Sequence, residues 1–229
     1  AASGHSFATN PLLESRLWLC CHDPDDAVKA VANEIWTVTG LEPSPTYAPT
    51  LLALLSNPAE HARQAAAQAT AAAMTTHTST ASATAKQLCE LFTSCVPTTK
   101  KMTEAERIEA SLFEKPSSNG GSKHSVNAAV SDEAAWMARS GVALALEACG
   151  RGGALDAASG DLSLVLPFIL EKGLTDKDDT VRPQMRAAGI GLIEGFAAEH
   201  LDTLLPILEN EMERKPTKGM SESELERFD

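Results

Sequence analysis

The sequence contains few aromatic residues. Phenylalanine, tryptophan and tyrosine make up 4% of the 229 residues, and tyrosine occurs once. Alanine supplies much of the 43% hydrophobic content. Sheets favour aromatic and β-branched side chains, whereas alanine favours close-packed helices. The composition therefore argues against a β-sheet protein and predicts an all-α fold.

The sequence also lacks a hydrophobic run long enough to span a membrane. No stretch of about 18 apolar residues occurs, and residues 1–10 lack the apolar core of a secretion signal. We therefore expect a soluble protein with a cytoplasmic localisation and no membrane partner. The first residue is not methionine, and the last residues bring new apolar side chains, Leu225 and Phe228. Both features are typical of a section of a longer protein.

Positive charge is scarce relative to negative charge. Against 31 acidic residues stand 19 lysines and arginines, which gives a formal net charge of -12 and an isoelectric point near 4.9. Such a chain repels phosphate backbones, so counterion release alone does not bind it to nucleic acid. The short stretch TTKK, residues 98–101, contains no aromatic residues and is typical of a solvated face. We expect basic protein partners and no sequence-specific nucleic acid.

No Cys-x-x-Cys or His-x-x-x-His pair occurs, although LWLCCHDPDD, residues 17–26, places two cysteines and a histidine together. Cys20 and Cys21 are adjacent, so on a helix their side chains diverge by about 100°, which suits one tetrahedral metal site poorly. We expect Cys20 to continue a buried stripe from Leu17, and His22 to lie where the helix ends. This interpretation predicts a corner between helices, no metal, and five reduced cysteines.

The motifs of common enzymes are absent as well. The sequence has no Gly-x-Ser-x-Gly elbow, although its many serines and six histidines leave a Ser/His/Asp arrangement open. The glycine-rich GRGG, residues 150–153, follows a predicted helix and has the position of a helix terminator rather than a phosphate loop. We predict that the chain is not an enzyme, has no catalytic residue and uses no cofactor.

Four segments share one pattern, in which an Asp, Asn or Glu at a turn is followed five residues later by a small apolar residue and usually a base. They are DPDDAVK from 23, NPAEHAR from 57, EAAWMAR from 133 and DKDDTVR from 176. Their starts are 34, 76 and 43 residues apart. The middle gap therefore holds two units of about 40 residues, the length of a HEAT-type repeat.

Apolar residues on either side of these turns recur at helical spacing, so each unit predicts two helices. The pairs are expected over residues 12–40, 46–75, 80–150 with an interruption, and 161–196, followed by a single helix over 198–214. We expect the turn Asp or Asn to cap the second helix, with Pro24 and Pro58 at its first position. The sum predicts an α-solenoid of HEAT-type, armadillo-like helical repeats.

The repeats divide the chain into four parts. HEAT-type repeats are expected over 1–96 and 131–214, and 215–229 is expected to link to a following repeat. Residues 97–130 form an irregular insertion whose segment 115–125 is too polar and glycine-rich to pack, so we expect it to be partly disordered.

A basic residue recurs at one repeat position, as Arg63, Arg139 and Arg182. We expect these arginines to form a polar ladder with neighbouring turn acids, and partner contact is the alternative. Arg182 and Arg186, which follow the acidic turn at 176–179, are the candidate binding residues.

Four stretches of the chain, in order and spacing, resemble the middle of the general-control translational activator family. They are RLWLCCHDPDDAVKAVANEIWTVTGL (16–41), YAPTLLALLSNPAEHARQAAAQAT (47–70), WMARSGVALALEACG (136–150) and VLPFILEKGLTDKDDTVRPQMRAAGIGLIEGFAAEHLDTLLPILENEME (165–213). The resemblance covers most of the chain apart from about 97–130, where this sequence is longer and rich in serine and glycine.

The resemblance implies a very large cytoplasmic HEAT-repeat protein that associates with ribosomes. Members of the family activate the amino-acid-starvation kinase that phosphorylates the alpha subunit of initiation factor two. It also implies that the kinase binds outside this section, which would face ribosomes or polysomes as a non-catalytic scaffold. The alternative function is a generic HEAT adaptor, such as a transport receptor or phosphatase scaffold, and an enzyme is a third possibility.

Overall fold

The computed structural model describes residues 11–96, 126–156 and 160–213. Within these ranges the regular structure is entirely helical. The helices are α1 Pro11–Cys20, α2 Asp26–Thr39, α3 Ala48–Leu54, α4 Glu60–Thr76, α5 Thr78–Ser94, α6 Val126–Arg151, α7 Asp161–Phe168, α8 Val181–Phe196 and α9 Leu201–Glu213. A π-helical turn, Ile169–Gly173, continues α7. The all-α prediction is confirmed.

The helices form consecutive pairs, α1 with α2, α3 with α4, α5 with α6, and α7 with α8. The second helices α4, α6 and α8 pack side by side, and α6 makes the most extensive contacts of the three. Of the first helices, α5 packs against α7, and α7 against α9. Each pair thus contacts its neighbours along the chain, which is the arrangement of an α-solenoid.

Small side chains allow the second helices to pack closely. In α4 the alanines at 65, 66, 67, 69 and 73 are each at most 1% exposed. Larger side chains from the first helices, among them Leu51, Leu88 and Leu166, complete one continuous apolar core. Burial of apolar surface, at about 25 cal/mol per Å², is the main force that holds such layers together.

Glycines bring three helix backbones into contact. A Cβ on Gly141 of α6 would overlap the backbone of Leu55 at the end of α3. A Cβ on Gly150 would lie 2.8 Å from the Leu192 amide nitrogen of α8, and one on Gly195 would overlap the Gly150 carbonyl. Glycine is therefore required where α6 crosses α3 and α8.

Polar side chains connect successive pairs. The Trp18 indole of α1 donates to the Ala69 carbonyl of α4 (3.1 Å), and the Ser82 hydroxyl of α5 donates to the buried Asp161 carboxylate of α7 (2.5 Å). The buried hydroxyl of Tyr47 bonds that of Thr84 at 3.0 Å. These bonds fix the register of one pair on the next, since a slip would leave their buried members without partners.

The apolar face of α2 is more exposed than its sequence pattern predicts. Val28, Val31, Ile35 and Val38 recur at helical spacing on one face of α2, and they are 41%, 58%, 39% and 81% exposed. Ala32 is the buried residue of α2. These side chains are exposed because α2 packs on α1 at one end of the stack and has no further described helix on its other side.

The expected insertion lies mostly outside the described residues, as do the expected linker at 215–229 and residues 1–10. The helix α6 begins at Val126, within the range 97–130 assigned to the insertion. The glycine-rich GRGG ends α6, as predicted. Gly153 has a φ of +62°, and the Ala154 N–H donates to the Cys149 carbonyl across the turn.

None of the helices in the described ranges is long and apolar enough to cross a membrane.

Candidate functional site

The turn that opens the second helix has the same geometry in three units. The side-chain oxygen of its first residue accepts a 2.9 Å hydrogen bond from the backbone N–H two residues later. The accepting residues are Asp23, Asn57 and Asp176. This Asx turn is the structural basis of the repeated Asp or Asn in the sequence.

The helix caps lie two residues later than predicted. Asp25, not Asp23, caps α2 by accepting from the N–H groups of Ala27 and Val28 (2.8 and 3.3 Å). Asp178 accepts in the same way at the start of α8. Pro24 and Pro58 precede the cap residues, so the prediction that they are first helical residues is wrong. The Asx turn displaces the helix start, because its first residue bonds within the turn.

The repeated base usually closes its own turn. Arg63 donates to the carbonyls of Asn57 and Pro58 at 2.8 and 3.0 Å. Arg182 donates to the Asp176 carbonyl at 2.9 Å and pairs with Asp179. Arg182 thus pairs with a neighbouring turn acid, as expected, whereas Arg63 bonds two carbonyls of its own turn. Arg63 and Arg182 each lie six positions after the first carbonyl of the turn, so the side chain reaches hydrogen-bond acceptors within its own turn.

Arg139 forms the expected ion pair with a turn acid, and this acid belongs to the next unit. Its guanidinium donates to both carboxylate oxygens of Asp176 in the next unit, at 2.7 and 3.2 Å, and to the Cys95 carbonyl at 2.8 Å. The two charged side chains are 4% and 3% exposed. Burying both charges is costly, and complete hydrogen bonding offsets that cost. This pair joins α5, α6 and the turn before α8.

Arg63 contacts the following unit through its guanidinium face. The guanidinium carbon lies 5.5 Å from the centre of the Trp136 ring in α6, within cation–π range. Burial lowers the pKa of Arg63, but an arginine remains charged at neutral pH. Its role in this structure is to join α4 to α6.

The two candidate binding residues differ in exposure. The Arg182 side chain is 39% exposed and is held by its own turn, whereas Arg186, one turn along α8, is exposed. Arg182 is therefore a structural residue with an accessible edge. Partner contact by Arg182 and Arg186 stays a prediction.

At the corner formed by Cys20, Cys21 and His22, the more buried cysteine is Cys21, whereas the sequence predicted burial of Cys20. Cys21 is 3% exposed and Cys20 is half-buried, because α1 ends at Cys20 and the next residue turns inward. Burial raises the pKa of Cys21 to about 11, so its thiol is protonated at neutral pH. Within the described residues, no three His, Cys, Asp or Glu side chains are placed to share a metal ion.

A polar groove of about 650 Å³ lies between the first three helix pairs. We define the polar groove by its main side chains: His22, Lys29, Gln64, Gln68, Glu147 and Arg151. They come from the α1–α2 corner, α2, α4 and the end of α6. The sequence did not predict this groove, because its residues lie on three helix pairs and share no motif.

The family model described as "Stalled ribosome sensor GCN1, HEAT repeats" matches residues 5–224. The chain belongs to this family of HEAT-repeat proteins. The predicted family is thereby confirmed at the level of its GCN1-type HEAT repeats.

Two curated proteins are similar to the chain. Protein ILITYHIA of Arabidopsis thaliana is 28% identical over 216 residues, which are 94% of this chain and 7% of that protein. The stalled ribosome sensor GCN1 of Homo sapiens is 23% identical over 201 residues, 88% of this chain and 7% of that protein. The chain thus spans a small part of the length of these relatives. No solved structure matches it significantly.

Proposed function

We propose that this chain is a non-catalytic section of a cytoplasmic, ribosome-associated HEAT-repeat scaffold. The full-length protein would activate the starvation-responsive kinase of initiation factor two alpha, with the kinase contact outside this section. Ribosomes or polysomes would be reached through the scaffold. The observation that carries the proposal is the family match across residues 5–224, which includes every described helix.

The structure supports a scaffold because its conspicuous polar groups have structural roles. Arg139 and Asp176 pair in the interior, and Arg63 and Arg182 close turns. A charge of -12 favours basic ribosomal proteins over bare ribosomal RNA as contacts. Arg186 is exposed and is the best candidate among the described residues for a local contact with phosphate.

The test uses the full-length protein in cells. Residues 12–213 are deleted, and polysome co-sedimentation and phosphorylation of initiation factor two alpha are followed during amino-acid starvation. We expect both to fall. Normal levels of both, with the shortened protein stable and abundant, would show that this section does not have the proposed function.

A point variant separates a lost contact from a damaged solenoid. Arg186→Glu reverses an exposed charge on α8, and Lys86→Glu is the matched control on α5, where the side chain is 68% exposed. We expect Arg186→Glu to reduce polysome association and Lys86→Glu to leave it unchanged. Equal behaviour of the two variants would remove Arg186 from the proposed contact.

A further inference from the structure

The polar groove continues beyond its main cavity along α4. A second hollow of about 380 Å³ shares His22, Gln68 and Gly152 with it and reaches Thr76. From Gln64 to Thr76 the helix rises about 18 Å, at about 1.5 Å per residue. This distance equals the length of about five to six residues of extended polypeptide.

Two carboxamides face the groove one helical turn apart. Gln64 and Gln68 are four residues apart, which places them about 6 Å apart along the axis. In an extended chain, alternate residues recur every 6–7 Å or so. A carboxamide has both a donor and an acceptor, as a peptide group does. The Gln64 Nε2 donates to Glu60 at 3.1 Å, so Gln64 presents its carbonyl oxygen, and Gln68 its carboxamide, to alternate peptide groups of an extended chain.

The formal charges of the groove cancel. Lys29 and Arg151 are balanced by Asp23 and Glu147, and Arg151 and Glu147 form an ion pair at 3.2 Å. The groove therefore has no excess of positive charge to attract a phosphate backbone. Polypeptide, with its neutral backbone, suits this lining better.

His22 supplies a further polar atom with no partner among the described residues. Its Nε2 is enclosed and makes no hydrogen bond, while its ring lies edge-on to Trp18 with centroids 4.5 Å apart. A buried polar atom without a partner is costly. Because this nitrogen is enclosed, a segment bound in the open groove does not reach it, and Gln64 and Gln68 remain the pairing groups.

We propose that the polar groove binds an extended polypeptide segment of a partner protein, which lies along α4 and pairs its backbone with Gln64 and Gln68. This inference goes beyond the proposed scaffold function, because it assigns a site and a partner class to the chain itself. The Glu147–Arg151 pair and Lys29 would select side chains of the segment by charge. The alanines at 67, 71, 72 and 148 line the groove beneath it.

The test begins with a displayed library of random linear peptides, each about 12 residues long, or twice the span of the groove. The library is panned on the 229-residue chain after depletion on the Gln64→Ala/Gln68→Ala variant. Enriched peptides are synthesised with a fluorophore, and their dissociation constants are measured by anisotropy. We expect binding to weaken about tenfold or more in the double variant, since two hydrogen-bonding groups are lost.

Matched variants exclude unspecific effects. Lys86→Ala/Glu90→Ala removes two exposed side chains of α5 outside the groove and should leave binding unchanged. N-methylation of single peptide bonds should weaken binding at alternate positions, which separates backbone pairing from side-chain contacts. Thermal unfolding of each variant confirms that it is folded.

Three results would overturn the inference: no enrichment of any peptide, equal binding to wild type and the Gln64/Gln68 variant, or no effect of N-methylation. Tight binding of a fluorescent single-stranded oligouridine that is lost in the same variant would also overturn it in favour of RNA. These measurements use the isolated chain. Their failure would leave the polysome result untouched, so the inference and the proposed function fail separately.

Discussion

Arg139 of α6 donates to both carboxylate oxygens of Asp176, a residue 37 positions further along the chain. The pair is enclosed between two units of the solenoid, and Asp176 also accepts the Asp178 N–H at 2.9 Å. One charged pair thus connects inter-unit packing to the local geometry of the turn before α8. Each nitrogen of the Arg139 guanidinium and each carboxylate oxygen of Asp176 makes a hydrogen bond. Removing either side chain therefore leaves buried polar atoms without partners.

Arg139→Met is expected to destabilise the chain by about 3–5 kcal/mol, because it leaves the Asp176 carboxylate buried without its counter-charge. Asp176→Asn should cost a similar amount, and the double variant less than the sum of the two. Urea unfolding followed by circular dichroism measures these changes. The exposed pair Lys86–Glu90 is the control, and its removal should cost at most about 0.5 kcal/mol. Additive effects of the two buried substitutions would contradict the coupling.

Gly150→Ala is expected to destabilise the contact between α6 and α8 by about 1–3 kcal/mol, because the new Cβ would lie 2.8 Å from the Leu192 nitrogen. Gly189→Ala is the matched control within α8. Its Cβ would lie 3.4 Å from an Ile169 methyl, an ordinary contact, and alanine favours the helix by about 1 kcal/mol. We expect unfolding midpoints to fall for Gly150→Ala and to hold or rise for Gly189→Ala. The same response in both variants would contradict a close helix crossing.

Chelator treatment is expected to leave the melting temperature unchanged. Within the described residues, no three His, Cys, Asp or Glu side chains are placed to share a metal ion, and a structural zinc would contribute many kcal/mol to folding. Differential scanning fluorimetry with and without EDTA, together with elemental analysis, provides the measurement. A drop of several degrees, or stoichiometric zinc, would restore the metal interpretation of Cys20, Cys21 and His22.

Thiol labelling of the native chain at pH 8 is expected to reach Cys20 and Cys95 before the other cysteines. Burial raises the pKa of Cys21 to about 11 and those of Cys89 and Cys149 to about 12, so these three thiols are both enclosed and protonated. Mass spectrometry after timed iodoacetamide treatment identifies the labelled sites. Early labelling of Cys149 would mean that the packing of α6 is looser than described.

The helices were predictable from sequence because apolar spacing of 3.6 residues is a local signal. Burial on α2 was not, because the same pattern in Val31 and Val38 is satisfied only where another helix packs. The burial order of Cys20 and Cys21 depended on the residue at which α1 ends. Helix ends are poorly determined by sequence, and here one position exchanges the buried cysteine.

The polar interactions were predictable by type but not by partner. A recurring arginine indicated pairing with turn acids. Arg182 pairs with Asp179 of its own turn and Arg139 with Asp176 of the next unit, whereas Arg63 bonds carbonyls of its turn. Which partner an arginine binds depends on the distance between helix pairs. The spacing of residues in the sequence does not give that distance. The polar groove was not predicted for the same reason, since Gln64 and Arg151 line one groove only when α4 and α6 are stacked.

The stability of the chain between pH 4 and 6.5 is expected to depend on His22. Burial, and then the charge of Lys29, lower the pKa of His22 to about 4 from its usual 6.5. The unfolded chain therefore binds a proton in this window that the folded chain does not. The contribution of His22 is complete above pH 6.5 and is lost as the pH falls towards 4.

His22→Phe keeps a ring beside Trp18 and removes the titrating group. We expect the variant to lose about 1–2 kcal/mol less stability than wild type between pH 6.5 and 4, which allows for partial solvent exposure of the ring. Urea midpoints across this range measure the difference. Parallel curves for wild type and His22→Phe would show that the imidazole is not held neutral by its position between α1 and α2.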